Sequence, residues 1–184
     1  MNSSKNGATK FHEDREDLTG EHKWGDAGQV ILFFVFIAVW ITDSFILKFS
    51  IASVGFIPLW LGLIIAMLIL GFSFYLARQG LNIVFKTKRD KPEVIREGVF
   101  GIVRHPIYLG SILFYVGLVV ITFSLASTAV LLIIISFYYF ISKYEEKILV
   151  ERFGEDYKNY KHNVGMLFPI IFLRFVDIKN PSTR

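Results

Sequence analysis

The sequence predicts an all-α integral membrane protein: four transmembrane helices with the last two as a short hairpin, plus a cytoplasmic loop and an amphipathic C-terminal helix. Three observations predict it. Apolar residues make up 53% of the 184-residue chain and mean hydropathy is +0.50, well above an ordinary soluble domain. They gather in stretches long enough for a helix to cross a hydrocarbon core of about 30 Å, which takes about 20 residues. Lys and Arg, finally, alternate between the connecting segments in the way that sets orientation in a membrane.

In chain order, residues 1–27 form a polar tail, whose first 26 residues carry four Lys/Arg and six Asp/Glu. No cleavable signal is expected, because the apolar run begins too far from the start. Residues 28–184 are expected to be a single membrane domain. Its first span, about 28–47, holds one charge, Asp43, expected at the interface beside Lys48. The second, about 55–77, has no formal charge and places Pro58 in its first turn, where a missing N–H does no harm. From Ile107 to Ser142 there are 36 residues without Lys, Arg, Asp or Glu. As one helix that stretch would run about 54 Å, close to twice the membrane thickness. A turn between Thr122 and Thr128 is therefore expected to divide it into spans of about 106–122 and 125–142. Gly110 and Gly117 share a face of the third span and suit close packing.

Lys/Arg counts in the tail, the first turn, the 78–105 loop, the hairpin turn and the 143–184 tail are 4, 1, 7, 0 and 8. This predicts a multi-pass protein with both termini, the loop and the C-terminal tail in the cytoplasm. The basic character is then topology, and no nucleic-acid partner is expected. Without cysteine there is no disulfide, thiolate nucleophile or thiolate metal site. The four histidines show no paired ligand spacing, so no metal is expected, and no phosphate or dinucleotide Gly motif is present.

Two segments hold the chemistry-bearing residues. In GVFGIVRHPIYLG, Gly98 to Gly110, Pro106 suits the first turn of the third helix. Arg104, His105 and the free N–H groups of that helix start then meet at one membrane boundary, where a negative group is welcome. Alone, the triplet equally fits a snorkelling Arg beside an interfacial His. In KYEEKILVERFGEDY, Glu145 has Ile141, Ile148 and Leu149 at i−4, i+3 and i+4, which embeds it in the apolar stripe. Glu146, about 100° around the helix, is expected to be the solvated member of the pair. The bland alternative is a helix-end cluster of Lys143, Lys147, Glu145 and Glu146, worth a few tenths of a kcal/mol. Phe153–Gly154 reads as a helix end, and Glu155 and Asp156 as the first turn of a short amphipathic helix on the bilayer. Its Tyr157 and Tyr160 share a face and are expected to close a site rather than react in it.

The ordered combination EGVFGIVRHPIYLG, an apolar hairpin, YEEKILVERFGEDYKNY and then LFP resembles the isoprenylcysteine carboxyl methyltransferase family and its relatives, the phospholipid N-methyltransferases. The resemblance covers about Glu97 to Pro169. It implies an integral membrane enzyme that uses S-adenosylmethionine from the cytosol to methylate a lipid-borne or membrane-partitioned small acceptor, a carboxylate, amine or thiol. It implies a cofactor site of His105, Pro106, Tyr108, Glu145 and Glu146, lined by the backbone of Gly98, Val99 and Val103. Arg104, Glu145 and Glu146 are implied as catalytic residues nearest the acceptor, and the implied partners are the bilayer and a hydrophobic, lipid-like acceptor. Two positions depart from the family pattern. Lys143 is the basic residue before the Glu pair where many relatives carry Arg, and an ammonium cannot present a bidentate fork. Val164-Gly165 stands where many have Val-Pro.

Methyl transfer from a sulfonium is an in-line displacement, so a protein mainly positions donor and acceptor and excludes water. A carboxylate acceptor is already ionised and needs orientation, here by Arg104. An amine or thiol must lose a proton, which makes Glu145 or Glu146 the candidate base. The rival of another class is a non-catalytic membrane scaffold or lipid-binding protein that retains the fold. A transporter is disfavoured because no span has a central charge or a paired broken helix.

Overall fold

The computed structural model describes residues 23–51, 58–86 and 92–170. The polar tail before Lys23, the expected start of the second span at Gly55, loop residues 87–91 and the chain beyond 170 lie outside the described residues. Among the described residues five α-helices follow one another: α1 (Lys23–Ile41), α2 (Leu59–Lys86), α3 (Pro106–Thr122), α4 (Leu125–Phe153) and α5 (Glu155–Asn163). A π-helical turn, Thr42–Leu47, extends α1, and a 3₁₀ turn, Gly98–Gly101, precedes α3.

Among the described residues three helical stretches are long and apolar enough to cross a bilayer: Gly25–Leu47, Trp60–Phe85 and Leu125–Phe153. α3 is a shorter apolar helix of 17 residues. Ile46, Leu68, Phe74 and Phe140 stay exposed, as they must where hydrocarbon rather than water is the solvent. The chain is an integral membrane protein. Its interior collects Phe36 of α1, Ile112 and Tyr115 of α3, Leu131, Ile134 and Tyr138 of α4, and Leu167 from the C-terminal segment.

Several boundaries differ from the sequence reading, each for a local reason. Pro58 stands just before α2 rather than inside it, and its carbonyl accepts from the N–H groups of Leu61 and Gly62. α2 continues past Ala77 to Lys86 because Arg, Gln and Leu are good helix formers. α4 runs on past Ser142 because nothing breaks it before Gly154, which adopts φ +57° and donates its N–H to Val150 O. Twenty residues counted from Leu125, enough to cross a hydrocarbon core, reach Tyr144, just before Glu145 and Glu146.

α3 and α4 are joined at Phe123 and Ser124. Phe123 takes a left-handed conformation and donates its N–H to Val119 O, while Ser124 caps α4 by accepting from Ser127 N–H at 3.0 Å. Asp43 fastens this turn to the end of α1. It is buried within the protein, accepting from Ser50 Oγ and Ser124 Oγ at 2.6 Å and from Ser50 N–H at 3.0 Å. The carboxylate is thus a buried pin, because Ser50 and Ser124 supply hydroxyls that a hydropathy count does not register.

α2 packs most extensively against α3. Ser73 Oγ donates to Gly110 O at 2.8 Å, and a Cβ on Gly110 would meet Ser73 O at 3.0 Å and Ala77 N at 3.2 Å. Gly110→Ala is expected to destabilise the protein by about 1–3 kcal/mol, since backbone rather than a flexible side chain must give way. Gly71→Ala, with nothing within 4 Å of the added carbon, is the control. Thermal melts of the two variants in detergent check the difference.

Candidate active site

The start of α3 and the end of α4 meet at one end of the bundle. Pro106 occupies the first turn of α3, where its missing N–H is no loss, and His105 is the residue before it. This placement turns Arg104, His105 and Tyr108 towards the two glutamates of α4. Arg104 donates from Nε and Nη2 to Glu146 Oε1, each at 2.7 Å, and from Nη1 to Lys161 O at 2.7 Å and to Val164 O. Tyr108 OH donates to Glu145 Oε1. His105 lies between the carboxylates, Nδ1 at 3.5 Å from Glu145 Oε2 and Nε2 at 3.5 Å from Glu146 Oε1. Its ring stacks parallel to that of Tyr108 at 5.6 Å.

Glu146, expected to be the solvated member of the pair, is the more deeply buried one. The Glu146 side chain is 1% exposed and the Glu145 side chain 15%. A 100° step along a helix decides burial only once the neighbouring elements are known, and here the C-terminal segment covers the Glu146 side.

That cover is built from α5 and the residues after it. Gly154 breaks α4 and lets α5 fold back, so that Tyr157 and Tyr160 face inward and are buried. Burial pushes both phenols above their ordinary range, so they remain neutral donors. Tyr160 OH donates to Phe100 O at 2.7 Å. The following segment runs beside Val103, with Arg104 N–H donating to Gly165 O at 2.8 Å and His105 N–H to Met166 O at 3.1 Å. Leu167 then enters the core. The chain turns so tightly here that a Cβ on Gly165 would lie 1.7 Å from Phe168 O. Gly165→Ala is expected to release this clamp, read as faster proteolysis around residues 155–168 with the spans intact.

A cavity of about 360 Å³ opens beside these groups, within the range of small-molecule sites. Arg104, His105, Pro106, Tyr108 and Glu145 line it; Glu146, Gly98, Val99 and Val103 are not among the lining residues. Val99 and Val103 are buried and Gly98 takes φ +57° to form the 3₁₀ turn, so these three shape the loop, and Phe100 is its contribution to the cavity wall. Sequence reasoning missed much of the rest: Asp26 and Gln29 of α1, Leu81, Val84 and Phe85 of α2, Glu93 and Ile95 of the loop, and Leu149 and Arg152 of α4. The last two carried a signal, standing four and seven residues after Glu145 on its face. Asp26 and Gln29 carried none, because only the packing of α1 brings them there. Among the described residues no group of three or more His, Asp or Glu is placed to hold a metal.

Residues 52–156 match the family model described as phospholipid methyltransferase. The chain is 36% identical over 121 residues to a methanethiol S-methyltransferase of Pseudomonas deceptionensis, covering 60% of this chain and 43% of that protein. It is 31% identical over 101 residues to a protein-S-isoprenylcysteine O-methyltransferase of Saccharomyces cerevisiae, covering 54% and 42%. With methanethiol S-methyltransferase 2 of Bradyrhizobium diazoefficiens it shares 32% over 125 residues, covering 62% and 45%. The chain thus spans less than half the length of the curated relatives it matches. No solved structure gives a significant match. The matched region of the family model takes in more than half of the chain and contains the paired starts and ends of α3 and α4 that build the cavity; the chain belongs to the phospholipid methyltransferase family of membrane methyltransferases.

Proposed function

We propose that the chain transfers a methyl group from S-adenosylmethionine to a membrane-partitioned small acceptor, at the cytoplasmic face of the bilayer. The observation that carries this is the cavity itself: about 360 Å³, placed where α4 leaves the hydrocarbon, with Glu145, Tyr108 and His105 on one wall and apolar side chains on the others. The excess of Lys and Arg in the loop and C-terminal tail supports the cytoplasmic placement, with α3 as a fourth span paired to α4.

The residues present fit the methyl donor. Asp26, Glu93 and Glu145 bring carboxylates to the lining, which suits a ligand carrying sulfonium and ammonium charge, and Phe85, Phe100 and Tyr108 offer faces for an aromatic ring or a cation. When bound, S-adenosylmethionine supplies the electrophilic methyl group. The protein's part is placement and dryness: Tyr108 holds Glu145, α5 screens the cavity from water, and the apolar lining admits the acceptor.

The geometry also bears on the acceptor. Arg104 was expected to orient a carboxylate, but its Nε, Nη1 and Nη2 are all committed to Glu146, Lys161 O and Val164 O. Lys143 is exposed and lies over the Tyr139 ring. No fork is left for an acceptor carboxylate from these two residues. An acceptor that must lose a proton, a thiol or an amine, is the better reading, with Glu145 as its base. Relatives named for methanethiol and for protein S-isoprenylcysteine bracket this choice, one methylated on sulfur and one on oxygen by their names.

Membranes containing the chain, given isotope-labelled S-adenosylmethionine with methanethiol, an isoprenylcysteine or an amine-headgroup phospholipid, test it directly. A labelled product on sulfur or nitrogen, identified by mass spectrometry, is the expected result. Label on the isoprenylcysteine carboxylate would overturn the acceptor assignment, and no labelled product with any acceptor would favour the non-catalytic, lipid-binding reading.

A further inference from the structure

We propose that Lys161 is a positioning residue that locks the α5 cover onto the site through Glu146; this rests on the methyltransferase reading only where it concerns S-adenosylmethionine affinity. Glu146 is a fully buried carboxylate whose Oε1 is held by Arg104 Nε and Nη2. Its Oε2 is buried and takes no well-aligned hydrogen bond among the described residues, yet Lys161 Nζ stands 3.1 Å away. The contact is thus an ion pair reaching in from α5, with the Lys161 side chain 40% exposed and its ammonium directed at the one buried oxygen that Arg104 leaves. A buried carboxylate oxygen with no compensating charge is expensive.

The position of Lys161 makes the pair more than local. Its own carbonyl accepts from Arg104 Nη1, so one residue grips Glu146 with its side chain and Arg104 with its backbone. Arg104 in turn holds Val164 O with its side chain and Gly165 O with its N–H. Three elements, the start of α3, the end of α4 and α5, are joined at this one point. Arg104 and His105 line the cavity while Glu146 and Lys161 stand behind them. Loosening the back of the network therefore lets the lining shift and the cover lift. Lys161 lies outside residues 52–156, the region the family model matches, so the family match assigns it nothing.

The test uses purified full-length chain in detergent, comparing wild type with Lys161→Met, Lys161→Arg, Glu146→Gln and the Lys161→Met/Glu146→Gln double variant. Hydrogen exchange of the ligand-free protein reads the cover, and calorimetry with S-adenosylmethionine reads the site. Lys161→Met is expected to speed exchange in peptides covering 155–166 and to weaken S-adenosylmethionine binding roughly 10- to 100-fold, the scale on which small misplacements act. Lys161→Arg, which keeps the charge, is expected to restore both. In the Glu146→Gln background, removing Lys161 should add little, because residues acting as one network are non-additive. Exchange and affinity unchanged in Lys161→Met would overturn the proposal, as would fully additive effects in the double variant, which would make Lys161 a snorkelling surface cation. If wild type fails to bind S-adenosylmethionine, the methyltransferase reading falls, while the exchange measurements still decide the lock.

Discussion

Arg104→Ala is expected to lower methyl transfer by about 100-fold or more and to lower the melting temperature, while the protein still inserts in the membrane. The catalytic loss follows from position: Arg104 borders the cavity beside His105, and misplacement of about 1 Å at such a site costs on the order of 100-fold. The stability loss follows from what is left behind. Glu146 would lose both guanidinium donors while remaining buried, and breaking one side of a buried pair costs about 3–5 kcal/mol. The carbonyls of Lys161 and Val164 would lose their donor at the same time. Insertion is spared because no apolar span is touched. Arg104→Lys should recover part of the stability and less of the activity, since an ammonium cannot serve Glu146 in a fork and two carbonyls together. Turnover and a melting curve on each variant check this, and wild-type turnover in Arg104→Ala would remove Arg104 from the site.

Glu145→Gln should have the opposite signature, a large kinetic loss with little change in stability. The amide can still accept from Tyr108 OH, and Glu145 lines the cavity rather than anchoring the cover. Loss of a general base typically costs 10²- to 10⁴-fold, and about that is expected at neutral pH. The pH dependence then separates acceptors. A thiol of ordinary pKa, about 8.5, ionises by itself as pH rises, so the deficit of the variant should shrink between about pH 7 and pH 9. A carboxylate acceptor is ionised throughout this window, and the deficit would then stay constant. Rate profiles of wild type and Glu145→Gln side by side give the answer.

The helices and the meeting of the two motif segments were legible in the sequence because both rest on local signals. Pro106 marked the start of α3 and Gly154 the end of α4, and each boundary stands where that residue's backbone dictates. The roles of the two glutamates were not legible, since they depend on what covers each face of α4, and the cover comes from α5. Asp43 shows the same limit at the opposite end, where hydroxyls of Ser50 and Ser124 bury a charge that its own segment gives no reason to bury. Arg104 shows it once more: its place at the helix start was readable, but its saturation by the carbonyls of Lys161 and Val164 was not, because that segment lies far along the chain.

The central claim is that the cavity beside Glu145, His105 and Tyr108 binds S-adenosylmethionine. Titration calorimetry of the purified chain in detergent tests it most directly. Saturable binding at one site per chain, weakened strongly by Glu145→Gln or Tyr108→Phe, is the predicted result. Absence of saturable binding by folded wild-type protein, or binding that neither substitution alters, would contradict it.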